Sequence, residues 1–211
     1  GRRYTLRDCV AAAAQILDQL EIRGAVDWVG NAWGGHVGLR FAAAQPARCR
    51  SLVTLGTPVA ALSRSDRHRI YPLLSVHRVL GPHEMVLSGV TAAMLSAHTR
   101  ARDPDAVTLV RDSLRRADRR MLRNAVRSIS LGREDLTALL PQISAPTLMI
   151  TGADHMGFTA AQAEAATHLM RDARTSTVPH AAYLLPLEAP TLTSALISEF
   201  WTQCTANQST I

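Results

Sequence analysis

The chain has 211 residues, 47% of them hydrophobic, 19% charged and 4% aromatic, with a mean hydropathy of +0.03. That is enough apolar material for one domain with a sizeable core, and it excludes wholesale disorder. Net charge is +6 and the pI is about 10.2, carried entirely by arginine because the sequence holds no lysine.

Thr5 is placed to cap a first helix, with Asp8 in the capping-box position, and Val10, Ala14, Ile16, Leu17 and Leu20 form a helical stripe that Gly24 is expected to end. Ala25–Val29 reads as a short buried strand closed by Gly30, and a second helix runs from Trp33 to about Gln45, before Pro46. Ser51–Leu55 is the next strand. From Val59 to about Ile143 the pattern is helical, with Asp103-Pro104 as an N-cap followed by proline at N1 and Val107, Val110, Leu114, Ala117 and Met121 as an apolar face. The α/β rhythm then returns with a strand at Pro146–Thr151, a helix at Thr159–Met170 and a strand at Thr175–Val178. An amphipathic helix at Ala189–Thr202 closes the chain, and Gln203–Ile211 reads as a frayed polar tail. A helical stretch that interrupts a parallel α/β pattern is most simply an inserted cap. Such sheets bind ligands outside the carboxyl ends of their strands, where a cap would exclude water.

Val29-Gly30-Asn31-Ala32-Trp33-Gly34-Gly35-His36-Val37-Gly38 turns a strand directly into a helix. Gly30 and Gly34 flank the central residue where side chains would crowd the crossing, and Gly35 and Gly38 let the helix approach the sheet. This is the pattern of a nucleophile elbow, G-x-S-x-G, with Ala32 at its centre.

With this turn, the sequence resembles the capped branch of the α/β-hydrolase superfamily. Tyr4-Thr5-Leu6 opening a helix before the elbow strand, Ala145–Gly152 as the acid strand, and Leu184–Pro190 after the histidine position carry the resemblance over nearly the whole chain. It implies a mostly parallel sheet flanked by helices. The core is expected at residues 1–58 and 144–211 and the helical cap at 59–143. It also implies that the amino-terminal half of the sheet lies outside this chain, which would leave the elbow strand with a free edge and favour self-association.

The resemblance further implies a triad in the order nucleophile, acid, histidine, and the matching positions hold Ala32, His155 and Tyr183. None is the expected residue. Ala32 has no attacking atom, so the chain is not expected to be an ordinary serine hydrolase. One change at Ala32 would already suffice for deliberate inactivation, so three altered positions point elsewhere. Asp154 and His180 sit on the two loops that meet above the elbow, either as a displaced dyad that activates water or as a turn cap and a loop residue. Trp33 offers its backbone N–H as an oxyanion donor, and its indole either packs or lines the pocket. Asn31 is a turn residue or a polar pocket contact. Tyr183 either bonds a carbonyl or fills the space left by an imidazole.

His36 reads as a structural histidine of the elbow helix. His68, His77, His83 and His98 show no metal-ligand spacing, and Cys9, Cys49 and Cys204 are too few and scattered for a disulfide framework or zinc site. No metal or cofactor is implied, and the cysteine usage fits a reducing, cytoplasmic compartment. No apolar run approaches a membrane span, and Gly1–Leu6 does not open a signal peptide.

Arg111, Arg115, Arg119, Arg123 and Arg127 recur at every fourth position and, on one long helix, would share a broad face. That face is either solvated or a site for an acidic ligand, a phosphate-bearing ester or an anionic lipid surface. Without base-stacking aromatics it does not suggest nucleic acid. The reading that emerges is a capped α/β-hydrolase fold with a degenerate triad that binds a small, mainly apolar ligand. The alternative is altered hydrolase or lyase chemistry on an ester, lactone or epoxide through Asp154, His180 and water.

Overall fold

The computed structural model describes residues 5–208. Its elements run α1 (Leu6–Gln19), β1 (Val26–Asn31), α2 (Trp33–Ala44), β2 (Cys49–Leu55), α3 (Arg64–Leu80), α4 (Glu84–Met94), α5 (Ala97–Arg102), α6 (Pro104–Arg116), α7 (Arg119–Ala125), β3 (Thr147–Gly152), α8 (Ala160–Thr167), β4 (Ala173–Val178), α9 (Leu185–Glu188) and α10 (Pro190–Gln208). A π-helical turn follows α7 and a 3-10 segment precedes β3. The four strands form one parallel sheet in the order β1-β2-β3-β4. Between β2 and β3 the described chain forms no strand, as the sequence suggests.

Side-chain alternation along the strands sorts the core into two layers. Leu52 and Met149 pack with Val37, Phe41 and Ala163 from α2 and α8, whereas Val53, Leu55, Leu148 and Ile150 pack with Leu185 and Phe200. A third cluster joins Leu95, Ala106 and Val110 of the helical segment to Leu184 and Leu187, so that segment rests on the loop into α9. Among the described residues β1 is bonded to β2 alone, and Val29 on that edge strand is 41% exposed.

The capping box of Thr5 and Asp8 forms as expected, and Thr159 makes a second one with Gln162 at the start of α8. Tyr4, which opens the resemblance, lies outside the described residues.

Three expectations need correction. First, α1 stops well before Gly24. Glu21 adopts φ 56°, its N–H donates to Asp18 O (3.0 Å), and the Ile22 N–H donates to Leu17 O (2.9 Å). This is a Schellman closure built on a non-glycine residue. Second, the arginine stripe does not lie on one helix. Ala117 is extended, and Asp118 caps a new helix by accepting from Met121 N at 2.7 Å, so Met121 is 63% exposed. Third, Gln203 onward is not a frayed tail up to Gln208. The helix continues because Cys204 still packs on the core and Gln203 bonds Glu199 at 3.0 Å. Ser209–Ile211 lie outside the described residues.

Candidate active site

All four strands end on the same side of the sheet, where Ala32, Gly56, the 153–158 loop and the 179–184 loop follow them. Ala32 stands at the sharpest point, with φ 50° and ψ −110°, between β1 and α2. Few side-chain-bearing residues hold that conformation unless their surroundings over-determine it. Here they do. The Ala32 N–H donates to Leu55 O (2.8 Å). Its carbonyl accepts from the Gly35 and His36 N–H groups (both 3.1 Å) and from Thr57 Oγ1 (3.3 Å), and it faces His36 Nδ1 at 2.9 Å.

The glycines divide differently from the sequence expectation. A Cβ on Gly30 would overlap the Gly34 backbone, and one on Gly38 would meet Trp28 and Leu52, so both are required for close approach. Gly34 faces open space and crowds nothing. Its carbonyl instead accepts from Trp28 Nε1 at 3.0 Å.

His36 is fixed by two carbonyls, with Nε2 at 2.8 Å from Pro58 O in addition to the contact with Ala32 O. Burial drives its pKa down from 6.5 to about 4 and outweighs the two carbonyls, which favour the charged ring. The neutral ring donates to only one of them.

His155 is 6% exposed and stacks on Tyr183, with ring centroids 5.1 Å apart and planes at 23°. Neither His155 nitrogen has a hydrogen-bond partner. Burial presses the imidazole pKa down and the Tyr183 phenol up. Trp33 begins α2, where its N–H has no acceptor within the helix. Trp33 Nε1 and Asn31 Oδ1 are also buried and unpartnered.

The displaced pair is not joined. Asp154 and His180 are both exposed, and among the described residues no hydrogen bond or ion pair connects them. The Asp154 N–H donates to Ala181 O (2.9 Å). His180 has φ 58° and stacks on His98 with centroids 4.8 Å apart.

Of the other histidines, His83 caps α4, and His77 is buried with both nitrogens unpartnered beside Arg119 and Arg123. Among the described residues no group of His, Cys, Asp and Glu could hold a metal ion. Cys9, Cys49 and Cys204 are free thiols, and burial pushes Cys49 up to about 11, which leaves it inert.

The arginines are spread over three elements. Arg111 pairs with Glu84 at 2.5 Å and Arg115 with Asp112 at 2.9 Å on α6. Arg119 and Arg123 lie on α7, and Arg127 in the π-helical turn lines a pocket of about 170 Å³ with Trp33 and Ser128.

Two further residues matter that sequence reasoning did not single out. The Glu188 carboxylate accepts from Ser96 N (2.7 Å), Thr99 Oγ1 (3.0 Å), Ala182 N (2.9 Å) and Leu184 N (3.2 Å). With the Ser96 Oγ bond to His180 O (2.7 Å), it ties the start of α5 to the loop that carries Tyr183. No local pattern in the sequence marks Glu188 as a hub. The second is Arg133, which lines a pocket of about 370 Å³ with Pro58, Val59, Asp66 and Phe158.

A parallel sheet whose first strand turns through a strained elbow into a buried helix, with two loops meeting above it, defines the class of this protein. The chain belongs to the alpha/beta hydrolase fold family, whose sequence signature matches residues 2–190. Solved structures agree. A thermophilic esterase from Thermogutta terrifontis, solved with malate bound, superposes with a TM-score of 0.84 at 21% identity, covering 96% of this chain and 74% of its own. The enol-lactonase from Burkholderia xenovorans LB400 gives 0.83 at 22%, covering 95% and 74%. A hydrolase from Pseudomonas aeruginosa PA01 gives 0.80 at 25%, covering 95% and 73%. This chain therefore spans about three quarters of their length. No curated protein matches the sequence. Among the described residues no helix is long and apolar enough to cross a membrane.

Proposed function

We propose that this chain is a ligand-binding member of the family whose triad is degenerate, holding a small, mainly apolar molecule between the core (residues 1–58 and 144–211) and a helical cap (59–143). The observation that carries this reading is the elbow itself. Ala32 keeps the strained geometry of a nucleophile position yet presents a methyl group, while the acid and histidine positions hold two rings stacked on one another. Without a nucleophile, acylation has no first step.

The polar groups left around the elbow support binding. Asn31 Oδ1, Trp33 Nε1 and both His155 nitrogens are buried and unpartnered, and each such group costs about 1–3 kcal/mol until something bonds it. A ligand carbonyl or hydroxyl would do so, with the Trp33 backbone N–H as a further donor. The free thiols fit a cytoplasmic setting.

The test is a thermal-shift titration with neutral short esters and lactones, with NMR of the same samples to follow turnover. The reading expects a saturable rise in Tm with at least one of them and no conversion. Conversion, or no shift with any of them, would overturn it. The second reading, ester or lactone hydrolysis by Asp154, His180 and water, draws on the esterase and lactonase among the fold's neighbours.

A further inference from the structure

Several partly buried arginines have carboxylate partners. Arg40 pairs with Glu134, Arg48 with Asp18 and Arg111 with Glu84. Arg133 is partly buried as well, yet its side chain makes no hydrogen bond or ion pair with any described residue, and its Nε is fully shielded from solvent. Two carboxylates act on it from a distance, but both are engaged elsewhere. Asp66 accepts from Ser63 Oγ at 2.5 Å, and Asp135 accepts from Thr137 N at 2.9 Å. Its charge also acts on His36, His155 and Tyr183, and Asp66 and Asp135 offset it only through space, with no direct ion pair.

Arg133 lines the pocket of about 370 Å³ between the loop after β2 and α8. Val59, Phe158, Ala165, Ala166 and Leu169 give it apolar walls, and the Asp66 carboxylate, held by Ser63, lines it together with Arg133. Burial lowers the Arg133 pKa, and because a guanidinium does not deprotonate in a protein, an anion bonded to it would relieve its partial desolvation. The fork of guanidinium donors matches a carboxylate bidentately.

We propose that Arg133 is the anion anchor of this pocket and that its ligand is a small organic acid, with the carboxylate on Arg133 and an apolar body against Val59, Phe158 and Leu169. The proposal rests on the ligand-binding reading above only in that the chain holds a small molecule, and goes beyond it by placing a charged ligand in a pocket that Asn31, Trp33 and His155 do not line.

The test compares octanoate, octanamide and inorganic phosphate by calorimetry on the wild-type chain, Arg133→Gln and Arg133→Lys. A charge-assisted pair predicts that octanoate binds about ten- to a hundredfold more tightly than octanamide. Arg133→Gln should bring octanoate down to the amide's level, and Arg133→Lys should restore part of the difference. The Arg133 Nε–H resonance should shift with octanoate in the wild type, which reports on the site even if Arg133→Gln folds poorly. Equal binding of octanoate and octanamide would overturn the Arg133 assignment and leave the ligand-binding reading standing. Phosphate binding as tightly as octanoate would overturn the organic acid. Absence of octanoate binding, where a neutral ester still shifts Tm, would likewise sink this proposal alone. Absence of binding by every probe would sink both.

Discussion

His155 and Tyr183 lie ring on ring, 5.1 Å between centroids, on the loops that follow β3 and β4. On the function proposed above, the pairing puts a packing contact where a serine hydrolase would need its base. Gly56 sits beneath it with φ 54°, and a Cβ there would touch the Tyr183 carbonyl, so the loops close tightly around the two rings. Restoring a hydroxyl at the elbow therefore does not restore a base. Ala32→Ser is expected to hydrolyse p-nitrophenyl acetate no faster than the unsubstituted chain, measured as initial rates above buffer.

The elbow holds Ala32 at a strained positive φ. Ala32→Gly removes the steric penalty of φ 50° and is expected to raise stability by about 1 kcal/mol in urea unfolding. Glu21→Gly, at the closure of α1, should give a gain of about 1 kcal/mol for the same reason. A loss at either position would mean that the side chain makes contacts worth more than the strain.

His36 makes stability depend on pH. The unfolded ring takes up a proton near 6.5, whereas the folded ring stays neutral to about 4. Unfolded chains therefore bind more protons in that window, and stability present above pH 6.5 is lost as pH falls toward 4, by about 3 kcal/mol for this group. The depressed pKa values of His155 and His77 act in the same direction. His36→Gln should flatten this acid slope when unfolding free energies are compared at pH 7 and 4.5. An unchanged slope would assign it to other groups.

Glu188 joins the helical segment to the loop of Tyr183 through four accepted hydrogen bonds. Glu188→Gln keeps the shape but turns an amide N–H₂ toward donors, and is expected to cost about 2–3 kcal/mol. Equilibrium urea unfolding measures this, and a change within error would show that the bonds are replaced by water.

Where the signal is local, the sequence is legible. The Thr5 and Thr159 caps, the glycines at 30 and 38, and the parallel order of strands around one helical interruption all follow from neighbouring residues or short spacings. Departures arise where three-dimensional context decides. Asp118 looks like a counter-charge in an arginine run, but as an N-cap it divides the run between two helices. Glu21 supplies a left-handed closure that Gly24 was better suited to make. At the site, Ala32, His155 and Tyr183 are readable as substitutions against a family pattern, whereas the stacking of the last two is not. Arg133 was invisible for a simple reason. Nothing in a row of amino acids distinguishes an arginine that lines a pocket from one at the open surface.

The central claim is that the chain binds and does not hydrolyse. Turnover of p-nitrophenyl acetate by the chain, beside Asp154→Asn and His180→Ala, tests it most directly. The account predicts rates at buffer background in all three, since Asp154 and His180 share no hydrogen bond and His180 stacks on His98. A rate well above background that disappears in both variants would contradict it and establish the displaced dyad.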